Sequence, residues 1–203
     1  MKKGLLIVVS GPAGSGKGTV NAKLLESAEF AYSVSLTTRA PRPGEVDGVN
    51  YRYVTREYFE QMVADGGLLE YTTYCDDYYG TPLKEAQQIM ESGRNLILEI
   101  EVEGALNVKR TFPDAVLIML LPPSFAVQEK RLRGRGTETE EKIQKRLETA
   151  KRELPMLSHY DYVVYNQDGG ADACADEIRA IVRAERASVK RHPNASKAYF
   201  ENK

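Results

Sequence analysis

Residues 8–25 read VVSGPAGSGKGTVNAKLL, with four glycines (Gly11, Gly14, Gly16 and Gly18) in eight positions between an apolar run and a segment of helical spacing. The apolar residues before the glycines ask for a buried strand, and Val20 and Leu24 after them ask for a helix with one apolar face. Glycine loses more conformational freedom on folding than any other residue, so its concentration between two regular elements implies that the backbone itself must approach a ligand. Gly11 to Lys17 match G-x-x-x-x-G-K, and a strand before with a helix after is the context a phosphate-binding loop requires. The glycines let N–H groups turn inward, the helix start adds the positive end of its dipole, and Lys17 adds a point charge at the terminal phosphates. Gly11, Pro12, Ala13, Gly14, Ser15, Gly16, Lys17, Gly18 and Thr19 are therefore read as a nucleoside triphosphate site. A turn that only joins strand to helix is the plainer reading, and the flanking elements argue against it. Position 18 is glycine and the hydroxyl comes one residue later, at Thr19. A magnesium ion is thus expected to be held mostly through water and phosphate oxygens.

A chain of 203 residues suits one sizeable core with small inserted lobes, and apolar and charged fractions of 42% and 28% are those of a globular protein. The formal charge of -1 offers no overall attraction to polyanions, so nucleic acid is not an expected partner and anionic ligands must be drawn by local clusters. Cys75 and Cys174 lie far apart, as do His159 and His192, which argues against a zinc site and for a reducing compartment. Neither a leader nor a membrane span is expected, which points to the cytoplasm.

Four short apolar runs recur, at Leu5 to Val9, Leu96 to Ile100, Val116 to Leu121 and Tyr162 to Tyr165. Their continuous apolarity suits strands buried on both faces, and helical spacing lies between them, for example at Ile143, Leu147 and Ala150 and at Ile178 and Val182. The expectation is an α/β fold with a parallel sheet. Two regions interrupt the alternation. Residues 32–83 are rich in Tyr, Thr, Arg, Pro and Gly, with short strands and a helix near Glu57 to Ala64, and read as an inserted lobe. Residues 125–153 are charge-dense and helical, broken at RGRGTETEE, where Thr137 and Glu140 have the spacing of a capping box. From Ala187 onward the chain reads as a polar, fraying tail.

A second anion pocket is expected in SLTTRAPRPGEVDGVNY, residues 35–51, where Arg39 and Arg42 offer two planar donors on a Pro/Gly-rich loop. In LLEYTTYCDDYYGTP, Glu70 precedes a cluster at Tyr78 to Thr81, and a carboxylate accepts two parallel N–H bonds of the kind guanine presents at N1 and N2. By residue type alone a solvated glutamate and core tyrosines fit this stretch equally well.

Taken together, GPAGSGKGT, SLTTRAPRPGE..G..Y, YYGT and RGRGTETEE....R occur in an order and spacing that resembles the guanylate kinase family over residues 5–185. The resemblance implies a parallel-sheet P-loop NTPase core (residues 1–34, 84–124 and 154–203), a mixed α+β monophosphate-binding lobe (35–83) and a helical lid (125–153). It implies transfer of phosphate from ATP, carried with Mg²⁺, to GMP. The acceptor's phosphate would be held by Arg39, Arg42, Tyr51 and Tyr79, and its guanine by Glu70 with Ser35 and Thr81 on the O6 side. Arg135 and Arg146 would join Lys17 around the transferring phosphate, and Asn166 matches an asparagine near the adenine. Glu99 and Glu101 stand where the family has aspartates and Glu103 where it has glutamine; Glu99 is expected at the acceptor, and both Glu99 and Glu101 near the magnesium's water shell. Among Lys130, Arg131 and Arg133 a solvated helix face fits as well as function, although Arg131 shares a face with Arg135. An adenylate-type kinase, a non-catalytic scaffold module of the same fold and a nucleotide sensor remain alternatives that an assay of ATP against each monophosphate separates. No residue in these motifs reads the 2′-hydroxyl, so dGMP stays open as an acceptor, as does the oligomeric state.

Overall fold

A computed structural model describes residues 3–74, 76–134, 136 and 139–201. In chain order the first half comprises β1 (Leu6–Ser10), α1 (Lys17–Leu25), β2 (Phe30–Tyr32), β3 (Leu36–Thr37), β4 (Arg52–Tyr53), α2 (Arg56–Ala64), β5 (Leu68–Tyr74), β6 (Asp77–Pro82) and α3 (Leu83–Glu91). The second half comprises β7 (Asn95–Glu99), α4 (Val102–Thr111), β8 (Val116–Leu121), α5 (Phe125–Gly134), α6 (Glu140–Glu153), β9 (Tyr162–Tyr165), α7 (Ala171–Ala187) and α8 (Ala195–Glu201). Short 3₁₀ turns at Leu154–His159 and Val189–Arg191 complete it.

Five strands make a parallel sheet in the order β2-β7-β1-β8-β9, with Val8 opposite Leu98 on one side and Leu117 on the other. Every residue of β1 and β8 is buried, as continuous apolar runs require when both faces are covered. On one face Ile7, Val9, Ile97, Ile118 and Leu120 pack with Val20 and Leu24 of α1 and Ile178 and Val182 of α7. On the other, Val8, Leu96, Leu98 and Leu117 pack with Ala86 and Met90 of α3 and Ala105 and Val108 of α4. Each fully buried aliphatic side chain contributes about 1.5–3 kcal/mol, so these two layers hold the strand ends rigid. The strands' carboxyl ends then present the glycine loop after β1, Glu99 at the end of β7 and Asn166 just beyond β9 along one edge of the sheet, where open α/β sheets bind ligands.

The four expected strands are all present, β1 and β7 each displaced by one residue. Asn95 joins the ladder opposite Phe30 and takes the Leu5 N–H on its side-chain oxygen at 3.1 Å, which moves both strand ends. Strand β2 was not expected: three residues at the sheet edge are too short to show a period, although Phe30 is fully buried.

A second sheet, β4-β3-β6-β5, lies between β2 and α3 in the chain, antiparallel except for the β3–β4 pair. Its core is Phe59 of α2, fully buried and stacked on Tyr78 with ring centroids 5.1 Å apart. Gly80 in the YYGT stretch is required by this packing, since a Cβ there would lie 2.9 Å from the Phe59 ring and 3.0 Å from the Glu70 carbonyl oxygen. Helices α5 and α6 meet through Leu132, Ile143 and Leu147, which pack on Ala13 of the glycine loop. Helix α6 begins at Glu140 behind Thr139, two residues later than the expected cap at Thr137, which lies outside the described residues together with Cys75.

The expected frayed tail is tied down for several residues beyond Ala187. Arg191 bonds Glu185 at 2.9 and 3.0 Å and the Asp114 carbonyl at 2.9 Å, and the His192 ring meets the Arg186 carbonyl at 2.9 Å. From residue 193 to 201, α8 included, the described tail is exposed. Among the described residues no helix is long and apolar enough to cross a membrane.

Candidate active site

The glycine loop is held open by an accounting of its carbonyls. The carbonyl of Gly11 accepts from Lys17 Nζ at 2.5 Å, that of Pro12 from the Ser15 N–H at 3.1 Å, and that of Ala13 from Gln128 Nε2 at 3.1 Å. The Gly14 carbonyl takes Arg131 Nη1 at 3.5 Å, that of Ser15 takes Asn166 Nδ2 at 2.8 Å, and that of Gly16 takes the Val20 N–H at 3.1 Å. Six consecutive carbonyls are thereby turned to protein donors, which leaves the first-turn N–H groups of α1, with no intrahelical acceptor, for an anion. Gly16 caps that helix at φ 90°, and a Cβ there would lie 2.3 Å from Asn166 Nδ2, so both conformation and contact demand glycine. The first turn of α1 holds no acidic side chain. Ser15 Oγ is buried with no hydrogen-bond partner among the described residues.

Two side chains gain roles that motif matching did not suggest. Asn166, only 7% exposed, donates its Nδ2 to the loop, and so does Gln128 of α5 with its Nε2. Arg131 also bonds the Asn166 carbonyl and Asp168, each at 2.8 Å, so it ties α5 to the loop and to the segment after β9. Arg133 instead pairs with Glu129 and Glu140 on an exposed face.

Gly18 and Thr19 are exposed at the start of α1. One turn on, Asn21 is fully buried and donates to Glu99 Oε2 at 2.9 Å, with the Tyr32 hydroxyl 3.5 Å from the same oxygen. Burial, with Glu99 adding, pushes the Tyr32 hydroxyl's pKa well up, so it stays a neutral donor. Glu101 is exposed at the start of α4. Burial raises the pKa of half-buried Glu153, Glu101 raises it further and Lys17 opposes both, which places these three charges in one neighbourhood. Sequence reading gave no signal for Asn21, Tyr32 or Glu153.

In the second sheet Arg39 lies 5.4 Å from the Tyr51 ring centroid, and the Tyr51 and Tyr79 rings are 5.8 Å apart. The fold thus brings Arg39, Tyr51 and Tyr79 together. Burial above all, then Tyr79 and more weakly Glu45 and Glu99, raises the pKa of the Tyr51 hydroxyl, with Arg39 opposing. Arg42 is exposed, on the same loop, its backbone N–H bonded to Glu45 Oε2 at 2.7 Å. Arg39 is bidentate to Glu45, at 2.9 and 3.0 Å, and the Tyr53 hydroxyl donates to Glu45 at 2.8 Å. The guanidinium, then the Arg42 N–H, push the Glu45 carboxyl down to about 2.

Glu70 on β5 stands opposite Thr81 on β6, is 8% exposed, and accepts from the Thr81 hydroxyl at 2.7 Å. Burial raises its pKa and Thr81 pulls it partly back. With its only hydroxyl proton on Glu70, Thr81 has lone pairs alone to offer a ligand, so its geometry fits aiming Glu70 better than the expected donation to guanine O6. Ser35 is half-buried beside this strand pair, its carbonyl accepting from the Arg52 N–H at 2.9 Å. Arg146 is half-buried on α6 next to the packed Leu147, and Arg135 lies outside the described residues.

The guanylate kinase family model matches residues 3–185. A guanylate kinase of Halalkalibacterium halodurans is 52% identical over 191 residues, 94% of this chain and 93% of the relative, and one of Bacillus subtilis is 50% identical over 186 residues, 91% and 90%. The crystal structure of guanylate kinase from Anaplasma phagocytophilum superposes with a TM-score of 0.72 at 32% identity, over 92% of this chain and 88% of that one. A triphosphate loop at one end of the sheet, a buried carboxylate in the second sheet and matches of this length converge: the chain belongs to the guanylate kinase family.

Proposed function

We infer that the chain catalyses ATP-dependent phosphorylation of GMP, giving ADP and GDP. A non-bridging oxygen of the GMP phosphate bonds to the γ-phosphorus as the bond to the β,γ-bridging oxygen breaks, and ADP departs with that electron pair. No proton has to be abstracted from an ionised phosphate, so the protein's task is in-line positioning and neutralisation of spreading charge. The observation that carries the acceptor's identity is Glu70, a carboxylate sunk between two strands with no cationic partner, which costs stability unless a donor-rich ligand edge repays it. Guanine, with N1–H and N2–H side by side, is such an edge.

In this reading Gly11 to Thr19 hold the ATP phosphates, and Lys17 leaves the Gly11 carbonyl to reach them. Arg39, Arg42, Tyr51 and Tyr79 hold the acceptor phosphate, and Arg146 and Arg135 approach from 125–153, the proposed lid. Residues 35–83 form the proposed acceptor lobe on a core of 1–34, 84–124 and 154–203. Buried contact between α5–α6 and the loop runs through few side chains, which suits a segment that closes over bound nucleotides and excludes water. Magnesium bound with ATP would neutralise charge between its phosphates. Glu99, a single carboxylate at the end of β7 beside the loop, fits an ion that takes one or two carboxylates and fills its shell with water and phosphate. ATP and GMP are the proposed partners and the cytoplasm the proposed compartment.

The test is a coupled assay of ATP with GMP, dGMP, IMP, AMP, CMP and UMP. GMP is expected to lead by kcat/KM, with dGMP close behind because no described residue is assigned to the 2′-hydroxyl. AMP turned over as fast as GMP would overturn the reading.

A further inference from the structure

The Arg39 guanidinium carries five N–H bonds in a plane. Three are accounted for: Nη1 to Glu45 Oε2 and to the Ala40 carbonyl at 2.7 Å, and Nη2 to Glu45 Oε1. The two that remain, Nε–H and the second proton of Nη2, lie side by side on the other edge, and with the Tyr79 hydroxyl, which also interacts with this guanidinium, giving way they form a second bidentate fork. Nε is buried and has no partner among the described residues, a state that costs stability until something accepts from it. Tyr79 and Tyr51 stand beside this guanidinium. Its own carboxylate partner is fixed independently of it, because Glu45 also accepts from the Arg42 backbone and from Tyr53, and the Glu45 N–H closes the turn onto the Arg42 carbonyl at 3.0 Å.

We propose that Glu45 is a positioning residue for acceptor binding: it occupies one edge of Arg39 and pins the Arg42 loop, so that the other edge of Arg39 is presented, already oriented, to a phosphate monoester. The proposal rests on the GMP reading above. It differs from a reading in which Glu45 merely fills the phosphate's place and is displaced by it. A placeholder would leave the orphaned Nε unexplained, whereas a second fork explains it.

The two readings predict opposite signs for Glu45→Gln, which keeps the shape but turns one acceptor into a donor facing Arg39. Binding of GMP and of guanosine to the whole enzyme is measured by calorimetric titration or competition, with KM for ATP alongside. Positioning predicts GMP weakened about 10- to 100-fold, the range for a lost charge-assisted hydrogen bond, with guanosine and the KM for ATP within about twofold. Tighter GMP binding would establish the placeholder instead. Equal weakening of GMP and guanosine would mean general damage to the second sheet, and unchanged GMP binding would mean that Arg39 needs no orienting; either overturns the proposal. Should Glu45→Gln fail to fold, Tyr53→Phe removes only one bond to the carboxylate and is expected to weaken GMP severalfold with guanosine unmoved; weakening of both, or of neither, refutes the proposal. Good GMP turnover by the wild type combined with indifference to these variants sinks this inference alone. Wild-type preference for AMP sinks the function instead.

Discussion

Replacing Glu70 by glutamine should separate stability from function in opposite directions. Thr81 donates to Glu70 Oε1 at 2.7 Å, so the glutamine is obliged to turn its carbonyl oxygen to Thr81 and its NH₂ toward the ligand. There the amide meets guanine's N–H groups donor to donor, and at least one charge-assisted bond is lost. The expected penalty in kcat/KM for GMP is about 2–4 kcal/mol, roughly 30- to 1,000-fold. IMP lacks the N2 amino group and should lose much less. Stability moves the other way. Burial raises the folded-state pKa of Glu70 above its unfolded value of 4.5, so the protonated form is favoured by folding and ionisation works against it. A raised carboxyl contributes fully below the unfolded value, and that contribution is lost as pH rises through the folded value. At pH 7 the ligand-free Glu70→Gln protein should therefore melt at a higher temperature than wild type, and the difference should shrink as pH falls through the raised folded value and be gone below about 4.5. The assays are kcat/KM for GMP and IMP and calorimetric Tm across pH 3.5–8. Equal losses for both acceptors would show that Glu70 does not read the N2 edge, and a lower Tm at pH 7 would refute the desolvation argument.

Lys17→Met should keep the fold but lose most phosphoryl transfer, since among the described residues its ammonium bonds the loop through the Gly11 carbonyl alone; near-normal turnover by a folded variant would remove Lys17 from the chemistry. Arg146→Ala and Arg135→Ala should lower kcat more than they raise KM, because charge on the transferring group peaks between the two nucleotides; a change in KM alone would make them ground-state binders. Asn166→Ala deprives the Ser15 carbonyl of its donor, and KM for ATP should rise about tenfold with KM for GMP unmoved. Loss of GMP affinity instead would mean that Asn166 does not act through the loop.

Motifs whose function is carried by backbone or by a residue's own type were legible in the chain. The glycine loop could be read because its strand and helix flank it in sequence, and the apolar runs of β1, β7 and β8 because burial on both faces writes itself as near-continuous Leu, Ile, Val and Met; β9, Tyr-Val-Val-Tyr at the sheet edge, is buried at Val164 alone and is legible from its β-favouring residues. Support contributed from distant segments was not legible. Asn21 reaches Glu99 across 78 positions, Gln128 reaches Ala13 across 115 and Asn166 reaches Ser15 across 151, and an isolated Asn or Gln carries no periodicity. Thr81 was found as the last residue of YYGT, yet its hydroxyl direction depends on register with β5, which sequence does not state. Glu45 lay inside a quoted motif and still escaped, because proline, glycine and arginine explained the loop without it.

The three glutamates of the acceptor side argue that environment rather than residue type assigns the roles. Glu45 faces a guanidinium, is held near a pKa of about 2 and is charged at any working pH, which suits an acid whose task is to hold Arg39 still. Glu70 faces the hydroxyl and the backbone N–H of Thr81 in a buried strand pair, its ionisation is costly, and in the proposed function the guanine edge would offset that cost. Glu99 is held by the uncharged donors Asn21 and Tyr32 through one oxygen, at the carboxyl end of β7. A carboxylate fixed by neutral groups keeps its full charge for an outside cation, whereas one paired to arginine does not. In the proposed function the same side chain therefore orients, selects and attracts according to its partners, and exchanging the partners of any one of the three should change its role without changing the residue itself.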